Sequence, residues 1–433
     1  MKKIFIAGIL TALILTGCDN SDNSPQKQEA KQCSKIVAAA LCQKIGQLLI
    51  VGFGGVNVDQ HNKITWIDPN GLVFKQDSNI AKDIADWHIG GVILFRGYLK
   101  KKDNEFIRFR NIQNGPQVTN LNKALQAYNN KTRDQQQLRP LPLLISLDQE
   151  GGLIDSLSFA PIQNYTAQAL GTNEEMVLND PQKRQQALNF TYNRGKVTGM
   201  VLKNYGFNLD FAPDVDVNIN PVNPIIGGLS RSYSSNPEIV AEQANQMING
   251  LHTSNILSVI KHFPGHGSST GDSHKGLVDV THTYQMELEL APYKKLISNG
   301  YNDFVMSTHV INGQVDRSQC LTGNPEDPGT WCPGTMSQKT LTGLLRNQLH
   351  FTGVIISDDM AMGAIANQYP LSVALEKSLN AGVDMFIISN HHADNTGDFV
   401  ITIAKLVKEG KVPESRIEDA YQHGAGIKQR LMQ

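Results

Sequence analysis

The chain has 433 residues, with 39 Lys and Arg against 40 Asp and Glu, for a formal net charge of −1. That balance lacks the basic excess a nucleic-acid binder needs, so no nucleic-acid partner is expected. A hydrophobic content of 40% with 18% charged residues excludes wholesale disorder, and the length suits one large or two ordinary domains.

In chain order, the first signal is at the N-terminus. Lys2 and Lys3 precede an apolar run, 4–15, that is too short for an ordinary spanning helix and ends in Leu15-Thr16-Gly17-Cys18. The pattern resembles the lipobox of bacterial lipoproteins. It implies a signal peptide over 1–17, lipidation of Cys18, and an exported protein anchored to a membrane of the cell envelope, facing the periplasm or the cell surface. The other reading is an ordinary signal peptide with a chance cysteine. Residues 18–40 are expected as a tether, polar and without periodicity over 19–32.

Export makes disulfides possible. Cys33 with Cys42 and Cys320 with Cys332 are the local pairings, one of three connectivities; free thiols are the alternative. The spacings do not resemble a zinc site.

From there to the end, 41–433, eight apolar, β-rich runs alternate with helical stretches: 47–53, 89–95, 141–147, 207–212, 257–263, 304–310, 354–357 and 383–389. Several are apolar on both faces, as parallel strands covered by helices are. Helical patterns fall at 237–251, 340–349 and 371–379. The alternation predicts an α/β fold, a (β/α)8 TIM-type barrel, with a doubly wound open sheet as the rival. The stretches 54–78 and 98–139 exceed ordinary loop length and read as rims or insertions; 118–128 could hold the helix after the second strand. After Asn390 a closing helix over 399–408 and a tail are expected.

Active sites of such barrels lie at the C-terminal strand ends. Those ends here carry Arg96, Asp148, Asp210, Lys261 with His262, His309, Asp358 with Asp359, and Asn390; His391 and His392 read as surface or rim residues. The richest segment is KHFPGHGSSTGDSH, 261–274, where a Gly-rich loop carries Asp272 and His274 two residues apart. A carboxylate there can hold the imidazole tautomer and raise its basicity, a dyad able to give and take a proton near neutrality. A solvated loop is the plainer reading of such a triplet.

Taken together, residues 42–390 resemble glycoside hydrolase family 3, in its β-N-acetylglucosaminidase branch. The resemblance rests on GGVILF (90–95), DQEGG (148–152), NLDFAPDVDVN (208–218), KHFPGHG…DSH (261–274), MSTHV (306–310) and ISDDMAMGA (356–364). It implies a single barrel and an exo-acting, retaining β-N-acetylhexosaminidase acting on peptidoglycan fragments, muropeptides or chitin-type oligosaccharides. Asp358 would be the nucleophile, with Asp359 as its local rival, His274 the general acid/base and Asp272 its partner. Asp148, Arg231, Lys261 and His262 would bind the sugar. No metal or organic cofactor is implied. Asp210 and Asp216 are expected to be structural, His266 to shape the loop, and His309 either to line the pocket or to pack internally. The sequence departs from the family in DQEGGLIDSL, where Leu153 and Ser156 stand in places usually held by arginines; Arg96 or the long inserts are candidates to replace the contact. The C-terminal α/β sandwich of many members is not expected. A β-glucosidase or other β-glycosidase, a catalytically weak sugar-binding lipoprotein, and phosphorolysis remain as alternatives.

Overall fold

The computed structural model describes residues 32–54, 57–58, 64–65, 80–96, 98–100, 107–109, 111–321, 329–390 and 395–433. The signal peptide, Cys18, most of the tether and His391 with His392 lie outside the described residues.

Eight strands form a closed parallel barrel: β1 (Leu49–Gly52), β2 (Gly91–Ile93), β3 (Leu144–Leu147), β4 (Leu209–Asp210), β5 (Leu257–Phe263), β6 (Phe304–Ser307), β7 (Val354–Asp359) and β8 (Met385–Ile388). Each pairs in parallel with its sequence neighbours, and β1 closes on β8, Leu49 opposite Phe386. The eight apolar runs are these strands, and closure excludes the open sheet. Alternation explains the two-faced apolarity. Val354 and Ile356 point into the barrel, where they pack with Phe304, Met306, Met385 and Ile387. Ile355, Val305 and Phe386 point outward beneath the helices. Period two thus serves two cores at once.

The principal helices are α1 (Ala39–Gln47), α2 (Gly115–Gln135), α3 (Pro181–Asn204), α4 (Pro237–His252), α5 (Leu371–Ala381), α6 (Thr396–Lys408) and α7 (Glu414–Arg430). Three share a start signal: a capping Asn or Asp with Pro in the first turn. The side chains of Asn114, Asp180 and Asn236 accept from the N–H groups of Gln117, Lys183 and Glu238 at 3.0, 3.1 and 3.0 Å. Each satisfies a donor that the helix leaves open, a contribution of about 1 kcal/mol.

Three expectations change. The chain is helical over 32–36, with Cys33 buried, so folded structure begins inside the stretch read as tether. α3 was not foreseen. The expected tail forms α7, packed against α1 and α5. Among the described residues of the long inserts, 57–58 pairs with 64–65 and 98–100 with 107–109, both antiparallel. The disulfides join Cys33 to Cys42 and Cys320 to Cys332. The second clips the short antiparallel pair Gln319–Cys320 and Thr330–Trp331.

Candidate active site

Asp358 and His274 reach the same mouth from different strands. Asp358 ends β7 and is half-buried. Its Oδ1 accepts from the N–H of Asp359 at 2.8 Å. Burial opposes its ionisation, but His262, His309 and His274 outweigh that and hold its carboxyl at about 2. It is a carboxylate at neutral pH. Asp359 is differently employed: its Oδ1 accepts from the N–H groups of Ala361 and Ser389, both at 3.0 Å, tying β7 to β8. Of the two adjacent carboxylates, Asp359 is spent on backbone.

The loop leaving β5 folds across the barrel mouth onto the turn after β7. There the N–H of Gly363 donates to the His274 carbonyl at 3.0 Å and that of Ala364 to the Ser273 carbonyl at 3.1 Å. A Cβ at Gly363 would lie 2.8 Å from backbone atoms of His274 and Lys275, so glycine permits this approach. The imidazole Nδ1 of His274 lies 2.8 Å from Asp272 Oδ1, and the same oxygen accepts the backbone N–H of His274 at 3.0 Å. With Nδ1–H donating to Asp272, Nε2 is left for a ligand, on a side chain 63% exposed. Burial works against ionisation of Asp272, yet its bonds from His274 keep the carboxyl below the usual range.

Beneath the mouth runs a buried charge network. Lys261 Nζ reaches Asp148 Oδ1 at 2.9 Å and Glu150 Oε1 at 2.7 Å. Arg231 grips Glu150 with two parallel bonds, Nε to Oε2 and Nη2 to Oε1, each 2.8 Å. It also donates from Nη1 to the Ile225 carbonyl at 2.8 Å and lies 3.3 Å from Asp214 Oδ2. Burial resists the charge on Glu150, but Arg231 and Lys261 hold it at about 2. Asp148 is the open end of this chain, its side chain 31% exposed against 6% for Glu150. His262 Nδ1 lies 2.7 Å from Asp216 Oδ2, and burial lowers its pKa to about 4, so the neutral ring offers Nε2 as an acceptor. Burial and the neighbouring Asp216 push Asp214 up to about 8 against the pull of Arg231.

The expected sugar contacts therefore divide. Asp148 keeps its side chain partly open at the mouth, whereas His262, 6% exposed, is buried against Asp216. Arg231 is 9% exposed and committed to Glu150, Asp214 and a carbonyl. His309 is fully buried, with Nδ1 2.9 Å from Thr335 Oγ1 and Nε2 3.1 Å from the Asp359 carbonyl, which places it in packing rather than in the open lining. Asp210 is buried and accepts from the Gln149 N–H at 3.0 Å. His266 is buried 3.3 Å from Ser273 Oγ, inside the loop. Leu153 is 73% exposed. Arg96 is exposed too. Asp214, Asp216 and His262 could converge on a cation, their ligand atoms lying within 4.8 Å of one another. The bonds already made to His262 and Arg231 account for that cluster without one.

Sequence reasoning missed Glu150, the hinge of the charge network, and Gly363, the seat of the loop. Both lie inside quoted motifs, and the signal was there: an acid two residues after Asp148 in a glycine turn, and a glycine four residues past the carboxylate pair.

Comparison with known proteins adds an independent line. The model of the glycosyl hydrolase family 3 N-terminal domain matches residues 40–425. Beta-hexosaminidase A of Pseudoalteromonas piscicida is 30% identical over 362 residues, 82% of this chain and 55% of that relative, so the chain spans little more than half of its length. A beta-hexosaminidase of Nitrosomonas eutropha is 29% identical, over 70% of this chain and 74% of its own. The solved family 3 beta-N-acetylglucosaminidase of a Paenibacillus species superposes with a TM-score of 0.71 at 30% identity, covering 90% of this chain and 62% of that one. The barrel, the ordered motifs along it and the family match over nearly all of the described chain agree: this chain belongs to glycosyl hydrolase family 3.

Proposed function

We propose that the chain is an exo-acting, retaining β-N-acetylhexosaminidase that releases terminal β-linked N-acetylglucosamine from peptidoglycan fragments or chitin-type oligosaccharides. Asp358 attacks the anomeric carbon while His274 protonates the leaving oxygen through Nε2. Water, deprotonated by His274, then attacks the glycosyl–Asp358 ester, and the configuration is retained. Asp272 holds the ring and stabilises the imidazolium. Asp148 and His262 bind hydroxyls; Lys261 and Arg231 act mainly through Asp148 and Glu150, which they fix in place. The chain is exported and anchored through lipid at Cys18.

One observation carries this reading: an ionised carboxylate at the end of β7 faces a loop whose Asp272–His274 pair is seated by backbone bonds to the turn just beyond it. The names of the relatives supply the N-acetylhexosamine specificity. The test is incubation with chitobiose, purified muropeptides and matched aryl glucosides, with mass analysis of the released sugar and proton NMR of its first-formed anomer. Release of β-N-acetylglucosamine, abolished by Asp358→Ala, is expected. Release of the α-anomer, preference for glucosides, or near-normal turnover by Asp358→Ala each refutes the corresponding part.

A further inference from the structure

β7 keeps step with β6 but not with β8. Phe304, Val305, Met306 and Ser307 lie opposite Val354, Ile355, Ile356 and Ser357 without a break. On the other side Ile356 pairs with Met385 and Asp359 with Ile387, so over that interval β7 carries one residue more than β8. The strand bulges where it delivers Asp358. A bulge re-aims the side chains it carries and leaves part of the ladder unmade, so something else must hold it.

On the β8 side the hold is visible. Ser357 Oγ accepts the Ile387 N–H at 3.2 Å, and the Met360 N–H donates to the Ile387 carbonyl at 3.0 Å. On the β6 side it is His309, whose Nε2 lies 3.1 Å from the Asp359 carbonyl. A carbonyl only accepts, so Nε2 carries the proton. Burial lowers the imidazole's pKa despite the nearby Asp358 and Asp359, so the ring is neutral and Nδ1 must accept. Thr335 Oγ1 is its donor, at 2.9 Å. The hydroxyl also lies 3.0 Å from the Thr308 carbonyl, but that oxygen already accepts the Thr335 N–H at 2.9 Å. Ser307 Oγ, 2.8 Å from Thr335 Oγ1, completes the chain by donating to it.

The chain ends on the nucleophile. Asp359, whose carbonyl His309 holds, is the residue whose N–H donates to Asp358 Oδ1 at 2.8 Å. Filling space does not account for the His309 bond. Nor does rescue of an orphaned acceptor, since the same carbonyl takes the Met362 N–H at 3.0 Å.

We propose that His309 is a positioning residue: through the Asp359 carbonyl it pins the bulge of β7 and so sets the aim of the Asp358 carboxylate. It does not touch the sugar. The inference rests on Asp358 being the nucleophile.

The test is steady-state kinetics of wild type, His309→Asn, His309→Gln and Asp358→Ala on an aryl N-acetylglucosaminide and on chitobiose, with a thermal melt of each. A Gln amide nitrogen reaches about as far as Nε2 and can still donate to the carbonyl; Asn is one methylene too short. Attack by Asp358 is common to both substrates. His309→Asn should therefore lower kcat at least about 30-fold on both alike, with KM within about twofold of wild type. His309→Gln should recover kcat to within about fivefold of wild type. Thr335→Val, which keeps the shape but removes the donor to Nδ1, should lower kcat about tenfold, again with KM little changed. It carries the test should His309→Asn fail to fold. Equal losses for His309→Asn and His309→Gln, a rise in KM in place of the fall in kcat, or near-normal kcat in folded His309→Asn or Thr335→Val each overturns the proposal. Asp358→Ala separates the two ideas. Its near-normal turnover sinks the nucleophile assignment itself, whereas its inactivity beside an unimpaired His309→Asn sinks the positioning role alone.

Discussion

The carbonyl of His274 accepts a hydrogen bond from the N–H of Gly363 at 3.0 Å. With the neighbouring bond from the Ala364 N–H to the Ser273 carbonyl, it joins the loop of the fifth strand to the turn of the seventh. It sets the imidazole within the field of Asp358 without any side chain spanning the gap, and it fixes the loop at the residue proposed to carry the proton.

Gly363→Ala tests that seat. The added methyl would meet backbone atoms at 2.8 Å, which cannot swing away as a side chain would. The loop must lift while the barrel stays folded. We expect kcat on an aryl N-acetylglucosaminide to fall at least about tenfold with KM little changed, because misplacement by a fraction of an ångström is costly in catalysis. Steady-state kinetics with a thermal melt checks it; unchanged kcat in a folded variant would mean that the contact is incidental.

His274→Ala should depend on the leaving group. A proton donor matters most when the departing oxygen is a poor leaving group, so loss on chitobiose should be about 100-fold or more, and loss on a nitrophenyl substrate much smaller. Equal losses on both would assign the residue to binding or to loop structure.

Glu150→Gln probes the network under the mouth. Two buried cations, Lys261 and Arg231, would lose their shared counter-charge, at a cost of about 3–5 kcal/mol. The depressed carboxyl gives a sign to check. Glu150 contributes stability above its unfolded value near 4.5, and that contribution disappears as the pH falls toward about 2. Denaturant melts at pH 7 and pH 3 should therefore show a large gap between wild type and variant that narrows in acid.

The barrel was legible because its strands bury both faces: Val354 and Ile356 inward, Ile355 outward, so the run reads as continuously apolar. α3 was not, because its contact with α4 is made by absence. A Cβ at Gly195 would lie 2.5 Å from the Met247 carbonyl and one at Gly250 2.4 Å from that of Tyr192, so backbones touch where an apolar stripe would be sought. The ends of the site, Asp358 and the Asp272–His274 pair, stood out as polar stops in short motifs. The committed state of Arg231 did not, since Glu150, Asp214 and Ile225 reach it from separate segments. Motif order carries a residue's neighbourhood but not which of its bonds are already taken.

Glu289 offers a pH test of the loop itself. Its side chain is buried against the root of the loop that carries His274, where Oε2 accepts the Ser268 N–H at 3.3 Å and Oε1 the Gln285 N–H at 3.1 Å. Burial raises its carboxyl to about 7, more than the hydrogen bonds from Ser268 and Gln285 lower it. Below the unfolded value near 4.5 both states hold the proton and nothing changes. Between about 4.5 and 7 the unfolded chain ionises while the folded chain keeps its proton, so stability falls with rising pH, by on the order of 3 kcal/mol at most. Glu289→Gln removes that titration and retains an acceptor. The variant's melting temperature should decline less than that of wild type between pH 5 and pH 8; parallel declines would show that the carboxyl titrates alike in both states, leaving its burial without energetic consequence.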